Sequence, residues 1–297
     1  MQSSGGTHRL AGATLKLQRA HFHHETLHAA IQRARKSYPK APLGLIQELD
    51  AQERQMIFVV KFDPPPTRWA PLIGDILHNL RSALDHLMWE LARLRNFGHE
   101  PPEWTRATFP IFPNRGRFWR KGRDGRWTSA SGASALQRVP GDARRLILEV
   151  QPYKDGGRAK EHPLWLLHRL ANADKHKTLH HVTQALVTGG YDVIEQRNVR
   201  LGDFEAASGI LRPGPRVIGT LGFTQLAPDA HLHVQPQFGF AETFVEGGPA
   251  AGKPISETVV QILEYVVNEV FSERFWPYFG VEPSGEIRAI TDHSQPD

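Results

Sequence analysis

The sequence of 297 residues contains no cysteine. This absence excludes thiol nucleophiles, cysteine-ligated zinc, iron–sulfur clusters and disulfide frameworks, and it is typical of proteins in a reducing compartment. No run approaches the roughly 18 apolar residues of a membrane-spanning helix, and the N-terminal residues lack the apolar core of a secretory signal. We therefore expect a cytoplasmic protein that does not enter a membrane.

The chain also has only a small excess of positive over negative charge. The chain has 36 Lys and Arg against 31 Asp and Glu, a formal net charge of +5. This excess is too small to indicate a nucleic-acid partner by itself, so the position of the charges matters more than their sum. The P-loop, the dinucleotide-binding fingerprint and the G-x-S-x-G elbow are absent from the sequence. These absences argue against NTPases, Rossmann dehydrogenases and α/β-hydrolases.

Hydrophobic periodicity predicts four longer helices and one short one, with apolar residues at three- and four-residue steps. The longer helices are expected over residues 21–38, 69–95 and 163–177 and from Ser256 to near Pro277, and the short one at 142–150. Residues 43–49 and 55–62 alternate like the strands of a hairpin, and short β-rich pieces between 182 and 245 predict further strands.

These elements predict an α+β protein: a helical-bundle core, an N-terminal β-hairpin and an appended strand-rich subdomain. The predicted organisation has polar, disordered ends and a chain that returns to the core at its last helix. Its parts are tail 1–14, mainly helical core 15–181 with an irregular basic loop at 99–135, strand-rich subdomain 182–250, core-packing helix 251–281 and tail 282–297.

Polar side chains share one face of the central helix, residues 69–95. At about 100° per residue they fall within an arc of about 140°. They are Asp75, His78, Arg81, Ser82, Asp85, His86 and Trp89. Solvated helix faces are usually rich in Lys, Glu and Gln, whereas Asp, Ser and His lower helix propensity. This composition favours a functional cleft over a solvated surface.

The residues of this face suit phosphate chemistry. Arg81 and Asp85 are four apart and predict an ion pair, while Arg81 and His86 lie on adjacent turns and reach one anionic group. A histidine of near-neutral pKa transfers protons, and an arginine holds a phosphoryl oxygen as charge builds up. These are the requirements of metal-independent RNA cleavage by a 2′-hydroxyl. We take Arg81, His86, Asp85 and His78 as candidate catalytic residues.

The helix predicted at 163–177 carries a second polar stripe. His168, Asn172 and His176 follow one another at four-residue steps, with Arg169 beside them. His168 alone is equally well interpreted as a packing histidine. We expect the stripe to bind substrate and to line one cleft together with the polar face of the central helix.

The segment NRGRFWRKGRDGRW alternates cations with aromatic rings. It contains six Arg and Lys against one Asp, interleaved with Phe118, Trp119 and Trp127. Cations for phosphates and planar rings for bases are typical of single-stranded nucleic-acid surfaces. A solvated loop pinned by its aromatic residues remains the alternative. We expect RNA as the partner, with Arg117, Arg120, Lys121 and Arg123 in contact with it.

The segment HNLRSALDH, with Arg81 and His86 in an Arg-x4-His pattern, resembles the R-x4-6-H motif of the HEPN superfamily. HEPN proteins are helical bundles, and many are RNases of bacterial defence and toxin systems. The resemblance implies a homodimer in which Arg and His of two protomers meet, no cofactor, and metal-independent cleavage that leaves a 2′,3′-cyclic phosphate.

The resemblance is limited to the central helix and, more weakly, about half of the chain. Ser82 stands where the family often has Asn, Asp or His, and a minimal HEPN bundle has no strand-rich region. HNLRSALDH followed by NADKH also resembles uncharacterised bacterial proteins with no assigned activity.

Two other function classes stay open. In a metal enzyme, Glu25 with His28 and Asp75 with His78 would each place a carboxylate and an imidazole one helical turn apart. Further ligands for such a site would come from Asp85, His86, His176 or Glu264. In a non-catalytic module, the same cleft would bind a nucleotide and a sheet edge would bind a protein partner.

Overall fold

The computed structural model describes residues 9–37, 46–50, 52, 54–62, 65–100, 107–176, 182–211, 214–245 and 248–281. They form a mixed α+β fold, which confirms the predicted class. The chain divides into a helical unit, residues 1–26, 71–179 and 257–297, and a sheet unit, residues 27–70 and 180–256. Among the described residues, no helix combines the length and apolar character needed to cross a membrane.

Helix α1 (Ala11–Ser37) begins well before its predicted start at residue 21. Leu10, Ala13 and Leu17 are buried because they recur on one side of the helix at three- and four-residue steps. The predicted disordered tail is therefore wrong for residues 9–14, where small residues hid the apolar period. Residues 1–8 and 282–297, the rest of the two predicted tails, lie outside the described residues.

Helix α2 (Trp69–Arg95) has the predicted bounds. Its apolar face is fully buried and comprises Ile73, Ile76, Leu77, Leu80, Leu84, Leu87 and Leu91. Each such side chain contributes about 1.5–3 kcal/mol relative to an exposed one. This burial fixes the direction in which the polar face of α2 points.

Four short elements follow α2. Buried Gln151, between the last two of them, holds the segment that precedes the first, at Pro110 and Phe112. They are α3 (Arg115–Phe118), α4 (Gly132–Leu136), α5 (Gly141–Glu149) and a 3₁₀ segment (Pro152–Arg158). Gln151 Nε2 donates to the carbonyls of Pro110 at 2.8 Å and Ile147 at 3.1 Å, and its Oε1 accepts from the N–H of Phe112 at 3.3 Å. The predicted irregular loop 99–135 therefore contains two short helices, and its residues 101–106 lie outside the described part.

Helix α6 (Pro163–His176) packs closely on α2. A Cβ added to Gly74 of α2 would lie 2.9 Å from Oδ1 of Asp174, so a larger residue there requires the Asp174 side chain to move. His162 caps α6, because its Nδ1 accepts the N–H of Leu164 at 3.1 Å, and its Nε2 lies 3.1 Å from the hydroxyl of Tyr265. Burial lowers the pKa of His162 and keeps the ring neutral for this role.

The last helix has the predicted position but an unpredicted winding. α7 (Ile255–Glu264) continues as a π-helical segment (Tyr265–Phe275) and ends as α8 (Trp276–Phe279). Val266, Val267, Val270 and Phe271 are fully buried within the π-helical segment. An apolar run indicates a helix here but does not distinguish the two windings, since both bury most of its side chains.

The sheet unit holds one antiparallel sheet with strand order β1-β2-β5-β3-β4. The strands are β1 (Ile46–Asp50), β2 (Gln55–Phe62), β3 (Val182–Ala206), β4 (Gly209–Ile210) and β5 (Gly214–Phe244). The predicted hairpin is β1 and β2, and it belongs to this sheet rather than to the helical core, because β2 pairs with β5 from Gln55↔Gly222 to Phe62↔Gly214.

The five strand-like pieces predicted between 182 and 245 lie within two long, curled strands, β3 and β5. Glycines between the first two pieces predicted a break, but the ladder continues through Gly189 and Gly190, and its irregularities elsewhere are register shifts rather than turns. The curl brings Ala206 against Gly189 of the same strand, where a Cβ would lie 2.6 Å from that of Ala206. Phe58, Ile218, Leu221 and Val234 form part of the buried cluster inside this curl.

Candidate nucleic-acid interface

Arg81 and Asp85 of α2 together hold the backbone of Phe109. The predicted ion pair is present, with Arg81 Nη2 3.1 Å from Asp85 Oδ1. The same Nη2 donates to the Phe109 carbonyl at 2.8 Å, and the Phe109 N–H donates to Asp85 Oδ1 at 2.9 Å. Both polar groups of one peptide position are thus satisfied by two side chains one turn apart. We call this arrangement the Phe109 clamp.

The Arg81 guanidinium is largely committed to this clamp. The residue is 7% exposed, and its Nη1 is buried without a hydrogen-bond partner among the described residues. Burial lowers the pKa of Arg81, against the opposing effect of Asp85. Helical spacing predicted the pair, but it gave no signal for Phe109, which lies 28 positions along the chain.

His168 of α6 lies within electrostatic reach of Arg81. Burial, then the charges of Arg81 and Arg169, lower the pKa of His168 to about 4, so the imidazole is neutral at pH 7. His168 Nε2 accepts from Asn172 Nδ2 at 3.1 Å, which leaves the ring proton on Nδ1. Helices α2 and α6 thus meet at Gly74 and Asp174, and the charge of Arg81 on α2 acts on the ring of His168 on α6.

Other predicted site residues lie in different surroundings. His86 is exposed and its ring lies against α1, since a Cβ on Gly12 would be 3.0 Å from His86 Nδ1. Asp75 and His78 are exposed on α2.

On α6, Arg169 and Asn172 are exposed, and Arg169 lies over the ring of Trp165 at 5.9 Å. His176, the last residue of the predicted stripe, is the end of α6, and its side chain lies outside the part that the structure describes.

The alternative metal site is not assembled in the described part of the chain. No three His, Asp or Glu side chains come close enough there to hold one ion. Glu25 instead pairs with His21, whose Nε2 lies 3.2 Å from its Oε1. The pairs Glu25–His28 and Asp75–His78 were predicted as metal ligands only from their separation of one helical turn.

Residues 114–128 form a compact basic hairpin. Asn114 caps α3 by accepting the N–H of Arg117 at 3.0 Å. The N–H of Gly122 donates to the Arg126 carbonyl at 2.8 Å, and that of Thr128 to the Arg120 carbonyl at 3.1 Å. This part of the predicted irregular loop therefore has regular hydrogen bonds of its own.

The cations of the basic hairpin are exposed to solvent. They are Arg115, Arg117, Arg120, Lys121, Arg123 and Arg126, and no ion pair to any of them occurs in the described part of the chain. With Asp124 as the hairpin's one carboxylate, the six cations give an excess of five, equal to the net charge of the whole chain. The charges of the rest of the chain therefore cancel in sum, and the basic hairpin carries an excess equal to the whole net charge.

The aromatic residues of the basic hairpin divide into an anchor and a surface pair. Phe118 is fully buried, and its ring lies 5.5 Å from that of Tyr153, as expected of a residue that pins the hairpin. Trp119 is 37% exposed and lies 5.6 Å from the ring of Trp127. Lys121 covers Trp127 at 4.8 Å. Phe118 therefore anchors the hairpin, as the alternative interpretation expects, while Trp119 and Trp127 lie at its surface, and contact of these two rings with RNA stays a prediction.

A cleft of about 450 Å³ lies beside the basic hairpin. Its lining is Arg115, Trp119, Leu148, Tyr153 and Lys154. Sequence reasoning missed the last three, because α5 and the 3₁₀ segment reach the hairpin only through the fold. One such link is the N–H of Tyr153, which donates to the Phe112 carbonyl at 3.1 Å.

Comparison with protein-family models, curated proteins and solved structures finds no match to this chain.

Proposed function

We propose that the protein binds single-stranded RNA through the basic hairpin. The observation that carries this proposal is a group of six exposed cations beside exposed Trp119. The group makes no ion pair with the described residues, and its excess over the hairpin's one carboxylate equals the chain's net charge. Cations neutralise phosphates and release their counterions, while an exposed ring stacks on a base at about 1–3 kcal/mol per base. Neither interaction reads a base edge, so binding is tolerant of sequence and sensitive to salt.

The test measures binding of a labelled, unstructured RNA by fluorescence anisotropy over a series of salt concentrations. The variant replaces Arg120, Lys121 and Arg123 with Ala. Loss of three phosphate contacts flattens the slope of log K against log salt by about 2, since each contact contributes about 0.7 on a single strand.

A matched control removes three exposed arginines from the sheet unit, Arg197, Arg200 and Arg216. It changes the net charge equally and is expected to leave the slope near that of the unaltered protein. Equal effects of the two triple variants would assign the binding to net charge and contradict a role for the basic hairpin.

Metal-independent RNA cleavage, the activity of HEPN-like proteins, is the second candidate. The observation that favours it is that the charge of Arg81 helps to lower the pKa of His168, whose neutral ring can accept a proton. In such a reaction the 2′-oxygen attacks the adjacent phosphorus and gives its proton to a base. The 5′-oxygen leaves with a proton from an acid, so the products are a 2′,3′-cyclic phosphate and a 5′-hydroxyl.

The cleavage assay compares His86→Ala, His168→Ala and, as a control, His99→Ala, whose histidine is exposed after α2. Loss of a general acid or base lowers the rate by about 10²–10⁴, and activity is expected to persist in EDTA. Selective loss in His86→Ala would support the HEPN-like assignment, and selective loss in His168→Ala would favour the α2–α6 pair. Absence of cleavage by the intact protein would leave RNA binding alone.

A further inference from the structure

The lining of the cleft beside the basic hairpin combines two cations with an aromatic ring. Exposed Arg115 and Lys154 supply two cations, Trp119 supplies a planar ring, and Leu148 supplies an apolar contact. The lining contains no carboxylate. A volume of about 450 Å³ lies in the range of small-molecule sites, roughly 300–1,000 Å³.

The aromatic ring of the lining is fixed before any ligand arrives. The Trp119 ring lies 5.1 Å from Phe118 and 5.6 Å from Trp127, so packing on two rings limits its rotation. Burial raises the pKa of the Tyr153 hydroxyl, against the opposing effects of Arg115 and Trp119. The hydroxyl therefore keeps its proton at neutral pH and can donate it to a phosphate oxygen.

We infer that this cleft binds one nucleoside monophosphate unit, with its phosphate on Arg115 and Lys154 and its base against Trp119. Each part of that ligand is complementary to one part of the lining. Inorganic phosphate leaves the Trp119 ring and Leu148 uncovered, and a nucleoside leaves both cations without an anion. Where the nucleotide is the phosphorylated end of an RNA strand, the inference rests on the proposed RNA-binding function; a free nucleotide does not depend on it.

The primary experiment is calorimetric titration of the full chain with AMP, adenosine and inorganic phosphate. AMP is expected to bind at least about tenfold more tightly than adenosine or phosphate, because charge-assisted and stacking contacts act together. Lys154→Ala is expected to weaken AMP binding by about ten- to a hundredfold. The matched control is Lys160→Ala, an exposed lysine outside the lining, which is expected to bind AMP normally.

A second variant, Trp119→Leu, tests the aromatic ring and is expected to weaken AMP more than inorganic phosphate. Thermal unfolding of each variant checks that the fold is retained, and Lys154, being exposed, is expected to leave the midpoint unchanged. AMP binding that is absent, or equal in Lys154→Ala and Lys160→Ala, would overturn the inference.

A competition arm distinguishes the two sources of the nucleotide. Tighter binding of a 5′-phosphorylated RNA than of its 5′-hydroxyl form, with displacement by AMP, assigns the cleft to strand ends. Binding of AMP without effect on either RNA assigns it to free nucleotides. If AMP binds as expected while RNA binding is absent or insensitive to the triple hairpin variant, the proposed function fails and the nucleotide site stands.

Discussion

The Phe109 clamp makes a prediction that separates a structural role of Arg81 from a catalytic one. Asp85→Asn keeps an oxygen that accepts the Phe109 N–H but removes the negative charge beside a guanidinium that is 7% exposed. Arg81→Met removes the buried charge itself and leaves Asp85, whose side chain is 35% exposed and is hydrated when unpaired. The conservative change at Asp85 is therefore expected to be the more damaging of the two.

The magnitudes follow from burial. Breaking a fully buried ion pair costs about 3–5 kcal/mol, and partial hydration around Asp85 reduces this to about 2–3 kcal/mol for Asp85→Asn. Arg81→Met deprives the Phe109 carbonyl of its donor at a cost of about 1–2 kcal/mol. In the double variant no charge is left uncompensated, so it is expected to be more stable than the sum of the single losses by about 1–3 kcal/mol.

The assay is urea unfolding, combined with hydrogen exchange of the Phe109 amide. Free energies of unfolding are compared between variants whose dependence on urea concentration is the same. The control is Arg145→Met, since Arg145 and Glu149 have the same i,i+4 spacing but Arg145 is 81% exposed. Its expected cost is below about 0.5 kcal/mol.

A cost of Asp85→Asn as small as that of the Arg145 control, with unchanged exchange at Phe109, would refute the clamp as a stabilising element. A destabilised Arg81 variant also means that its loss of any RNA activity is not by itself a catalytic effect.

Three further predictions concern the helical unit. The pKa of His168 is about 4, below the unfolded value of 6.5, so its contribution to stability is present above pH 6.5 and is lost toward pH 4. NMR titration is expected to show this low midpoint and its rise in Arg81→Met; a midpoint near 6.5 would contradict the α2–α6 arrangement. Gly74→Ala is expected to lower the thermal midpoint because its Cβ meets Asp174, and Asp174→Ala is expected to restore most of the loss. Gln151→Leu leaves three backbone groups without their partner and is expected to cost about 2–4 kcal/mol in urea unfolding, whereas a cost under about 1 kcal/mol would show that water replaces it.

The parts of the fold that depend on local pattern were predictable from the sequence. The bounds of α2 follow from an uninterrupted apolar period, and the Arg81–Asp85 pair follows from helical spacing. The start of α1 was missed because Gly12 and its small neighbours carry little hydrophobic signal. Those small residues serve tertiary contact, since Gly12 accommodates the ring of His86.

Features created by distant parts of the chain were not predictable. Gly189 was interpreted as a strand break, whereas the curl of β3 requires a residue without a Cβ opposite Ala206. Tyr153 and Lys154 had no motif, yet they complete the cleft beside Trp119. Spacing along one helix constrains neighbours on that helix, but the partners of Arg81 and Trp119 come from elements whose approach only the packed core determines.

The interleaving of the two units along the chain constrains the order in which the protein folds during synthesis. The helical unit needs residues 257–281, with fully buried Val266 and Phe271, and these leave the ribosome after all of the sheet unit. Until then its first two segments lack the apolar side chains of the third, so the apolar face of α2 is left partly uncovered. The sheet unit, complete at residue 256, has its two segments separated by more than a hundred residues of the other unit. Long loops must therefore close before either core forms, which favours slow folding and a need for protection of the nascent chain.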